Sequence, residues 1–317
     1  MSKILLIGSG SWGLAIASVL AFNNHEVMLY TRDSLVAEEV NNKHTNSKNL
    51  KGIILSPLIK AFTDFKDKGL LSNIDTAFLA IPTLAFAAFF NEHFQDLQSI
   101  KNFVICSKGF TQIEERFVSS AEFLSQKFIG TNQIVLSGPN FASELVERKK
   151  TITTLSSINA KSLEYVSGLL CTNFLEIETS EDPEAILILG LCKNPIAIGC
   201  GLTYGLTGSA NAKARFLTKI SQETVKILEA LNLNTQSFLS SAGIGDIFLS
   251  GGDERSRNFS YGVNLAKGVT YASKTTEGIY SLKAINFIMQ SKKLTLKHYQ
   301  TLYECVHTGL DVTNILS

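Results

Sequence analysis

Between Ala185 and Ala212 the chain carries one ionisable residue of the Asp, Glu, Lys, Arg or His types, Lys193. It stands in "ILGLCKNPIAIGCG" (188–201), where an ammonium costs free energy unless it finds a partner or gives up its proton. A lysine so placed suits acid-base work, because burial and neighbouring cations lower its ordinary pKa of about 10.4. The plain alternative is a lysine whose stem lies along an apolar helix and whose head reaches water. A second pattern is Gly8-Ser9-Gly10-Ser11-Trp12-Gly13 in "KILLIGSGSWGLAIA". A glycine loop that follows a strand and opens a helix is the arrangement that binds a dinucleotide. The glycines permit a tight turn and close backbone approach, and the helix N-terminus offers N–H groups to the pyrophosphate.

The second strand, "HEVMLYTRD", bears on which dinucleotide. A carboxylate at its end would hold the ribose hydroxyls of NAD, but Tyr30 and Thr31 occupy that place, followed by Arg32 and Asp33. Arg32 pairs well with a 2′-phosphate, so NADPH is favoured, while Asp33 leaves NADH open. Trp12 has two readings, a core side chain or a cover for the phosphates and neighbouring ribose. Three further stretches carry polar groups at strand or helix ends. "CSKGF" (106–110) places Lys108 at the carboxyl edge of a strand, where ligands of open α/β sheets bind. "SGPNFASEL" (137–145) is a Gly-Pro turn leading into a helix, and 241–268 is a glycine-rich polar loop containing Asp246, Ser256, Arg257 and Asn258.

These residues need a frame. "KILLIG" (3–8), "EVMLY" (26–30), "TAFLAI" (76–81), "NFVICS" (102–107) and "QIVLSG" (133–138) are continuous apolar runs, as expected of strands covered on both faces. Helical patterns at 11–23, 34–42, 84–95, 114–127 and 140–149 alternate with them. The spacing predicts an α/β protein with an N-terminal Rossmann-like, doubly wound parallel sheet. Strands at 151–157 and 174–180, flanking a helix near 160–171, extend it. After "SEDPEA" strand-like runs become rare and helices are expected at about 184–201, 209–232, 275–291 and 294–306. The domains are therefore a dinucleotide-binding unit over 1–180 and an all-helical substrate-binding and catalytic unit over 181–317. Pro195 removes a helical hydrogen bond to the Leu191 carbonyl, which predicts a bend or a helix start there.

With 317 residues and 45% hydrophobic content, the chain has ample material for a core. A net charge of +1 gives no electrostatic case for nucleic acid or an anionic membrane, so any bound anion must be held by local geometry. The five cysteines (Cys106, Cys171, Cys192, Cys200 and Cys305) include no CxxC pair and mostly sit in apolar segments, which fits reduced, buried thiols. The five histidines form no cluster, so a metal site is not expected. "AFLAIPTLAFAAFF" (77–90) is too short to span a bilayer, and the run around Lys193 carries a charge and a proline, so no membrane insertion and a cytoplasmic location are expected.

Taken together and in this order, GxGxWG (Gly8–Gly13), SKG (Ser107–Gly109), SGPxFA (Ser137–Ala142), LxKN (Leu191–Asn194), GxGD (Gly243–Asp246) and SRN (Ser256–Asn258) resemble the bacterial type of NAD(P)-dependent glycerol-3-phosphate dehydrogenase. The likeness covers essentially the whole chain, and the combination is far more specific than any one member. It implies an oxidoreductase acting on a CH–OH group, with reversible hydride transfer between NAD(P)H and dihydroxyacetone phosphate. The product, sn-glycerol 3-phosphate, would feed glycerophospholipid synthesis, and the resemblance also implies a homodimer. On the matching positions, Lys193 is the proton donor and acceptor. Lys108, Asp246, Arg257 and Asn258 contact substrate, with Ser256 beside them. Gly138, Asn140 and Ala142 form a turn facing cofactor and substrate, and Glu277 lies near the nicotinamide. With Gly8, Gly10, Ser11, Trp12, Gly13 and Arg32, residues Lys108, Ala142, Arg257 and Glu277 make up the cofactor site.

The chemistry asks for such groups. Reducing a ketone at neutral pH puts negative charge on its oxygen, so a donor must protonate or stabilise it. Asp246 would hold the lysine by a charge-assisted hydrogen bond, and Arg257 offers a planar fork to a phosphate dianion, completed by Ser256 and Asn258. The small residues Gly190, Ala197 and Gly201 share the face of Lys193 on a helix and leave space for a substrate. Three positions depart from the family pattern. Asn140 replaces Ser or Thr, Pro195 replaces a β-branched residue, and in "SGGDE" Ser250 stands in for a threonine hydroxyl. Glu277 also has an explanation as a first-turn helix residue. Two other functions fit parts of the sequence: a lysine-dependent hydroxy-acid or ketopantoate-type dehydrogenase, and a non-catalytic NAD(P)-sensing protein.

Overall fold

Strand β1 (Lys3–Ile7) is buried throughout from Ile4 to Ile7, as a continuous apolar run demands of an interior strand. The structure, a computed structural model, describes residues 1–67, 69–269 and 277–317. The chain divides into two units, Met1–Ile113 with Val118–Pro183, and Glu184–Ser317 with Glu114–Phe117.

After β1 come α1 (Ser11–Phe22), β2 (Glu26–Tyr30), α2 (Ser34–Lys43), β3 (Ile59–Phe62), β4 (Thr76–Leu79), α3 (Phe86–Glu92) and β5 (Asn102–Ile105). They are followed by β6 (Phe110–Ile113), β7 (Arg116–Ser119), α4 (Ser120–Lys127), β8 (Asn132–Ser137), α5 (Ala142–Val146), β9 (Thr151–Ser156), α6 (Ala160–Leu170) and β10 (Leu175–Ser180). The main sheet has eight strands in the order β10-β9-β8-β5-β4-β1-β2-β3. Every neighbouring pair is parallel except β8 and β9. Winding runs outward from β1 through β2 and β3, and the other way from β4 through β5 and β8. The order therefore reverses between β1 and β4, and the carboxyl ends there are where open α/β sheets hold ligands.

At the opposite edge side chains pin the register. Asn102 Nδ2 donates to Thr76 Oγ1 (3.2 Å), Asn132 Nδ2 to Asn102 Oδ1 (3.0 Å), and Asn159 Nδ2 to Asn132 Oδ1 (2.9 Å). The first two bonds join residues paired across β4, β5 and β8.

The structure corrects two sequence expectations here. "IKAF" forms β3, whose alternating burial at a sheet edge lacks the continuous apolar run used to find the others. The expected helix over 114–127 begins only at Ser120, because β6 and β7 form a two-stranded ribbon with Glu114 at φ 54° in the turn. No Asn-Gly or Asp-Gly pair marks that turn in the sequence.

The second unit contains α7 (Pro183–Thr207), α8 (Ala210–Ala230), α9 (Asp246–Gly252), α10 (Arg257–Ala266), α11 (Glu277–Ser291) and α12 (Lys297–His307). Of the helix expected over 275–291, residues 275 and 276 lie outside the described residues. Helix α7 is long and apolar enough to cross a membrane, but 94% of its apolar window is buried inside the protein, as in a core helix. It runs on through Pro195, so no helix start forms there. Burial of Ala185–Cys192 and Asn194–Thr203 outweighs the loss of one bond and the ring clash, about 3 kcal/mol.

Glycines set how closely α7 packs. A methyl on Gly201 would stand 2.0 Å from the Phe259 carbonyl oxygen, and one on Gly262 would stand 2.0 Å from the Ile198 carbonyl oxygen. Helices α7 and α10 thus meet backbone to backbone. The N-terminus of α12 is closed from α8, where the Glu223 carboxylate accepts the N–H groups of His298 (3.0 Å) and Tyr299 (3.1 Å).

All five thiols are free; Cys106, Cys192, Cys200 and Cys305 are buried, whereas Cys171, expected among the buried thiols, is exposed after α6. Burial pushes the Cys192 and Cys200 thiols up to about 12, far from the thiolate form that reacts. Alkylation of the native protein with N-ethylmaleimide, mapped by peptide mass spectrometry, should modify Cys171 fast and Cys192 and Cys200 only on unfolding.

Candidate functional site

The glycine loop leaves β1 at the point where strand order reverses. Gly8 has φ 115°, and a methyl on it would stand 2.6 Å from the Ala80 carbonyl oxygen. A methyl on Gly13 would stand 2.0 Å from the Gly8 carbonyl oxygen, so α1 can lie this close to the loop only with glycine there. Gly10, by contrast, has nothing within 4 Å of its own Cβ position, and no side chain caps α1. The first turn of α1 is left to offer its N–H groups outward. Side chains hold the rim: Ser11 Oγ donates to the Asn49 carbonyl (2.8 Å), Asn49 Nδ2 to the Ser9 carbonyl (2.9 Å), and Ser9 Oγ meets Thr31 Oγ1 (2.8 Å). Trp12 packs on the apolar core and donates its indole N–H to the Cys106 carbonyl (3.0 Å), tying loop to β5. Asn49 carries no signal in the sequence, since nothing in "HTNSKNL" marks a return to the loop.

At the end of β2, Tyr30 and Thr31 are buried, while Arg32 is exposed and has no hydrogen bond or ion pair among the described residues. Asp33 is engaged twice. It caps α2 through Leu35 N and Val36 N, and it pairs with Lys48 Nζ at 3.0 Å. The Lys48 ammonium and then the Val36 N–H hold its carboxyl below the usual range.

Further along the same edge, Lys108 follows β5 and is half-buried. Gly138 ends β8 so close to β9 that a methyl would stand 2.9 Å from Thr153 Cα. Asn140 turns its amide to β9, with Nδ2 donating to Thr151 Oγ1 (2.8 Å) and the Ile152 carbonyl (3.0 Å). Its donors are thereby committed to the fold. Ala142 opens α5. Three buried oxygens near these strand ends, Ser107 Oγ, Ser137 Oγ and Asn140 Oδ1, lack a partner among the described residues.

In the second unit Lys193 is the one residue between Ala185 and Thr203 that is not buried. Its ammonium donates to Asp246 Oδ1 (2.9 Å) and to Ser250 Oγ (3.1 Å), and Ser250 Oγ donates to Asp246 Oδ1 (3.2 Å). The lysine side chain is 14% exposed and the aspartate side chain 2%, so the charge is paired inside by a side chain that is not fully closed off from solvent. Asp246 and Ser250 face Lys193 together because they are four residues apart on α9.

A second polar set adjoins on α7. Asn258 Nδ2 donates to Asn194 Oδ1 (2.9 Å), Gly278 N to Asn258 Oδ1 (3.2 Å), and Asn194 Nδ2 to Glu277 Oε2 (3.4 Å). Asn194 went unassigned in the sequence reading, although a buried amide next to a lone lysine was the available signal. Ser256 caps α10 through Phe259 N (3.4 Å), and Arg257, the first residue of that helix, is exposed with no hydrogen bond or ion pair among the described residues. The expected substrate space at Gly201 is not there. The Phe259 backbone fills it, and the small residue serves helix packing instead.

Comparison with known proteins decides what these two sets belong to. The profile of the NAD-dependent glycerol-3-phosphate dehydrogenase N-terminus matches residues 3–163, and that of its C-terminus matches residues 182–317. The chain belongs to the NAD-dependent glycerol-3-phosphate dehydrogenase family. A glycerol-3-phosphate dehydrogenase [NAD(P)+] of Macrococcus caseolyticus is 30% identical over 98% of this chain and 96% of its own length. Another, from Levilactobacillus brevis, is 27% identical over 99% and 96%. A solved glycerol-3-phosphate dehydrogenase from Coxiella burnetii has the same fold, with a TM-score of 0.91 at 22% identity over 99% of this chain and 97% of that one. Matching of both family halves sets ketopantoate-type reductases aside.

The first unit fits the dinucleotide that the family name implies. Gly10 leaves open space at an uncapped helix N-terminus, and unpartnered buried oxygens remain at the adjoining strand ends. Gly8–Gly13 would hold the pyrophosphate and Arg32 the adenosine ribose end.

Proposed function

We propose that this protein interconverts dihydroxyacetone phosphate and sn-glycerol 3-phosphate, with Lys193 as proton donor and acceptor and NADPH as the favoured cofactor. The bound nicotinamide supplies or takes up the hydride. As the ketone carbon gains hydride, its oxygen gains charge, and a proton passes from Lys193 Nζ to that oxygen; the neutral amine then regains a proton from solvent. The reverse reaction runs the same steps backward. The single observation that carries this reading is the Lys193 ammonium held by Asp246 and Ser250 on a side chain that is partly exposed.

Asp246 keeps the ammonium in place and offsets its burial. Arg257, with no other partner among the described residues, is the fork for the substrate phosphate, and Lys108, Ser256 and Asn258 complete the substrate contacts. Gly138, Asn140 and Ala142 line the turn beside it, and Glu277 lies at the nicotinamide end. Engagement of Asp33 by its cap and by Lys48, with Arg32 unpaired among the described residues, supports the preference for NADPH. Family membership supports a cytoplasmic homodimer whose product feeds glycerophospholipid synthesis.

Purified protein given dihydroxyacetone phosphate should oxidise NADPH faster than NADH, followed by nicotinamide absorbance. Cofactor binding without turnover would point to a sensor instead, and turnover only of ketones lacking phosphate would point to a hydroxy-acid dehydrogenase.

A further inference from the structure

We infer that Lys48 is a cofactor-specificity residue, which neutralises Asp33 beside Arg32 and so admits a 2′-phosphate at the end of β2. The inference rests on the proposed use of NADPH and names the residue that sets it. Between Val27 and Ala37 the one carboxylate is Asp33. In this fold a carboxylate after the second strand serves the ribose hydroxyls and repels a 2′-phosphate.

Here that group is spoken for. Its Oδ1 accepts from Leu35 N (3.2 Å) and Val36 N (3.4 Å), and its Oδ2 accepts from Lys48 Nζ (3.0 Å). With both oxygens engaged, Asp33 stays at the start of α2. The charges of Arg32, Asp33 and Lys48 sum to one positive unit, whereas without Lys48 they would sum to zero. An arginine offset by an uncompensated aspartate attracts a dianion poorly.

The position of Lys48 is not accidental to the cofactor site. Its neighbour Asn49 is bonded on both sides of the glycine loop, through Nδ2 to the Ser9 carbonyl (2.9 Å) and through its own carbonyl from Ser11 Oγ (2.8 Å). The segment that braces the phosphate loop therefore also carries the compensating cation. Lys48 is 69% exposed, and an exposed pair adds little to folding stability. Its effect is on the local field, strongest at low ionic strength.

The test compares kcat/KM for NADPH and NADH, and the affinities of both by fluorescence titration, in the wild type, Lys48→Gln, Asp33→Asn and the double variant. In Lys48→Gln the NADPH/NADH preference should fall about tenfold at low salt and by less at high salt, as expected for a lost unit charge facing a dianion. The double variant, in which the asparagine introduced by Asp33→Asn still caps α2, should recover to within about threefold of wild type. An unchanged preference in Lys48→Gln overturns the inference. So does a preference that stays low in the double variant, since Lys48 would then meet the phosphate itself. If the wild type turns over no dihydroxyacetone phosphate, the proposed function fails, and the titrations still decide the role of Lys48.

Discussion

Lys193→Ala should lower turnover by about 10³-fold, within the range that a positioned proton donor contributes, while NADPH affinity should stay within a few-fold of wild type. The loss has two parts that measurement separates. Asp246, 1% exposed in the wild type, loses its charge partner with the ammonium, and stranding one partner of a buried pair costs about 3–5 kcal/mol. Denaturant unfolding should therefore show a weakened second unit. In the Lys193→Ala, Asp246→Ala pair that strain is relieved and stability partly returns, yet turnover does not. Wild-type turnover in either variant would remove the lysine from the chemistry. Loss of cofactor binding in step with turnover would show a folding defect instead.

Gly201→Ala is the second large effect, and it comes from a residue that touches no substrate. Its methyl would stand 2.0 Å from the Phe259 carbonyl oxygen, so α10 must shift off α7. Overpacking of this kind costs about 1–3 kcal/mol. The shift carries Ser256, Arg257 and Asn258 with it, because they form the cap and first turn of α10. KM for dihydroxyacetone phosphate should rise about tenfold, with kcat less affected. Gly168→Ala is the control. That glycine lies within α6 with nothing within 4 Å of its Cβ position, so the change should stabilise by about 0.4–1 kcal/mol and leave kinetics alone. An unchanged KM in Gly201→Ala would show that α10 does not set the phosphate contact.

Much of the architecture was written in continuous apolar runs. Five of the main sheet's strands are legible that way, at 3–8, 26–30, 76–81, 102–107 and 133–138, because interior strands leave no polar face to confuse the signal; 151–157 and 174–180 are mixed runs, legible as strands that flank a helix. Strand β3 was missed for the converse reason, since Lys60 faces out at an edge. Strand β7 falls in the helix expected over 114–127 because Glu114-Glu115-Arg116 follows helix propensity, and the long-range packing of Phe117 on Tyr280 and Phe287 is invisible locally. The same limit applies to the site. Lys193 stood out by its isolation and Asp246 by the family motif. The bonds of Asn194 to Asn258 and Glu277, and of Asn49 to the glycine loop, depend on which elements the fold brings together. At Pro195 the alternative of a helix start fails, since tertiary burial carries α7 through that position.

The backbone contact between α7 and α10 has a consequence for selectivity. At the Gly201 and Gly262 crossing no side chain acts as a spacer, so the helix bearing the Lys193 amine and the helix bearing the Arg257 guanidinium are held like the two jaws of a calliper. If the proposed roles of Lys193 and Arg257 hold, a phosphorylated ketone with one carbon more or fewer between its carbonyl and its phosphate should fill one jaw and miss the other, and chain length would be discriminated by the skeleton of the protein before any pocket lining is consulted.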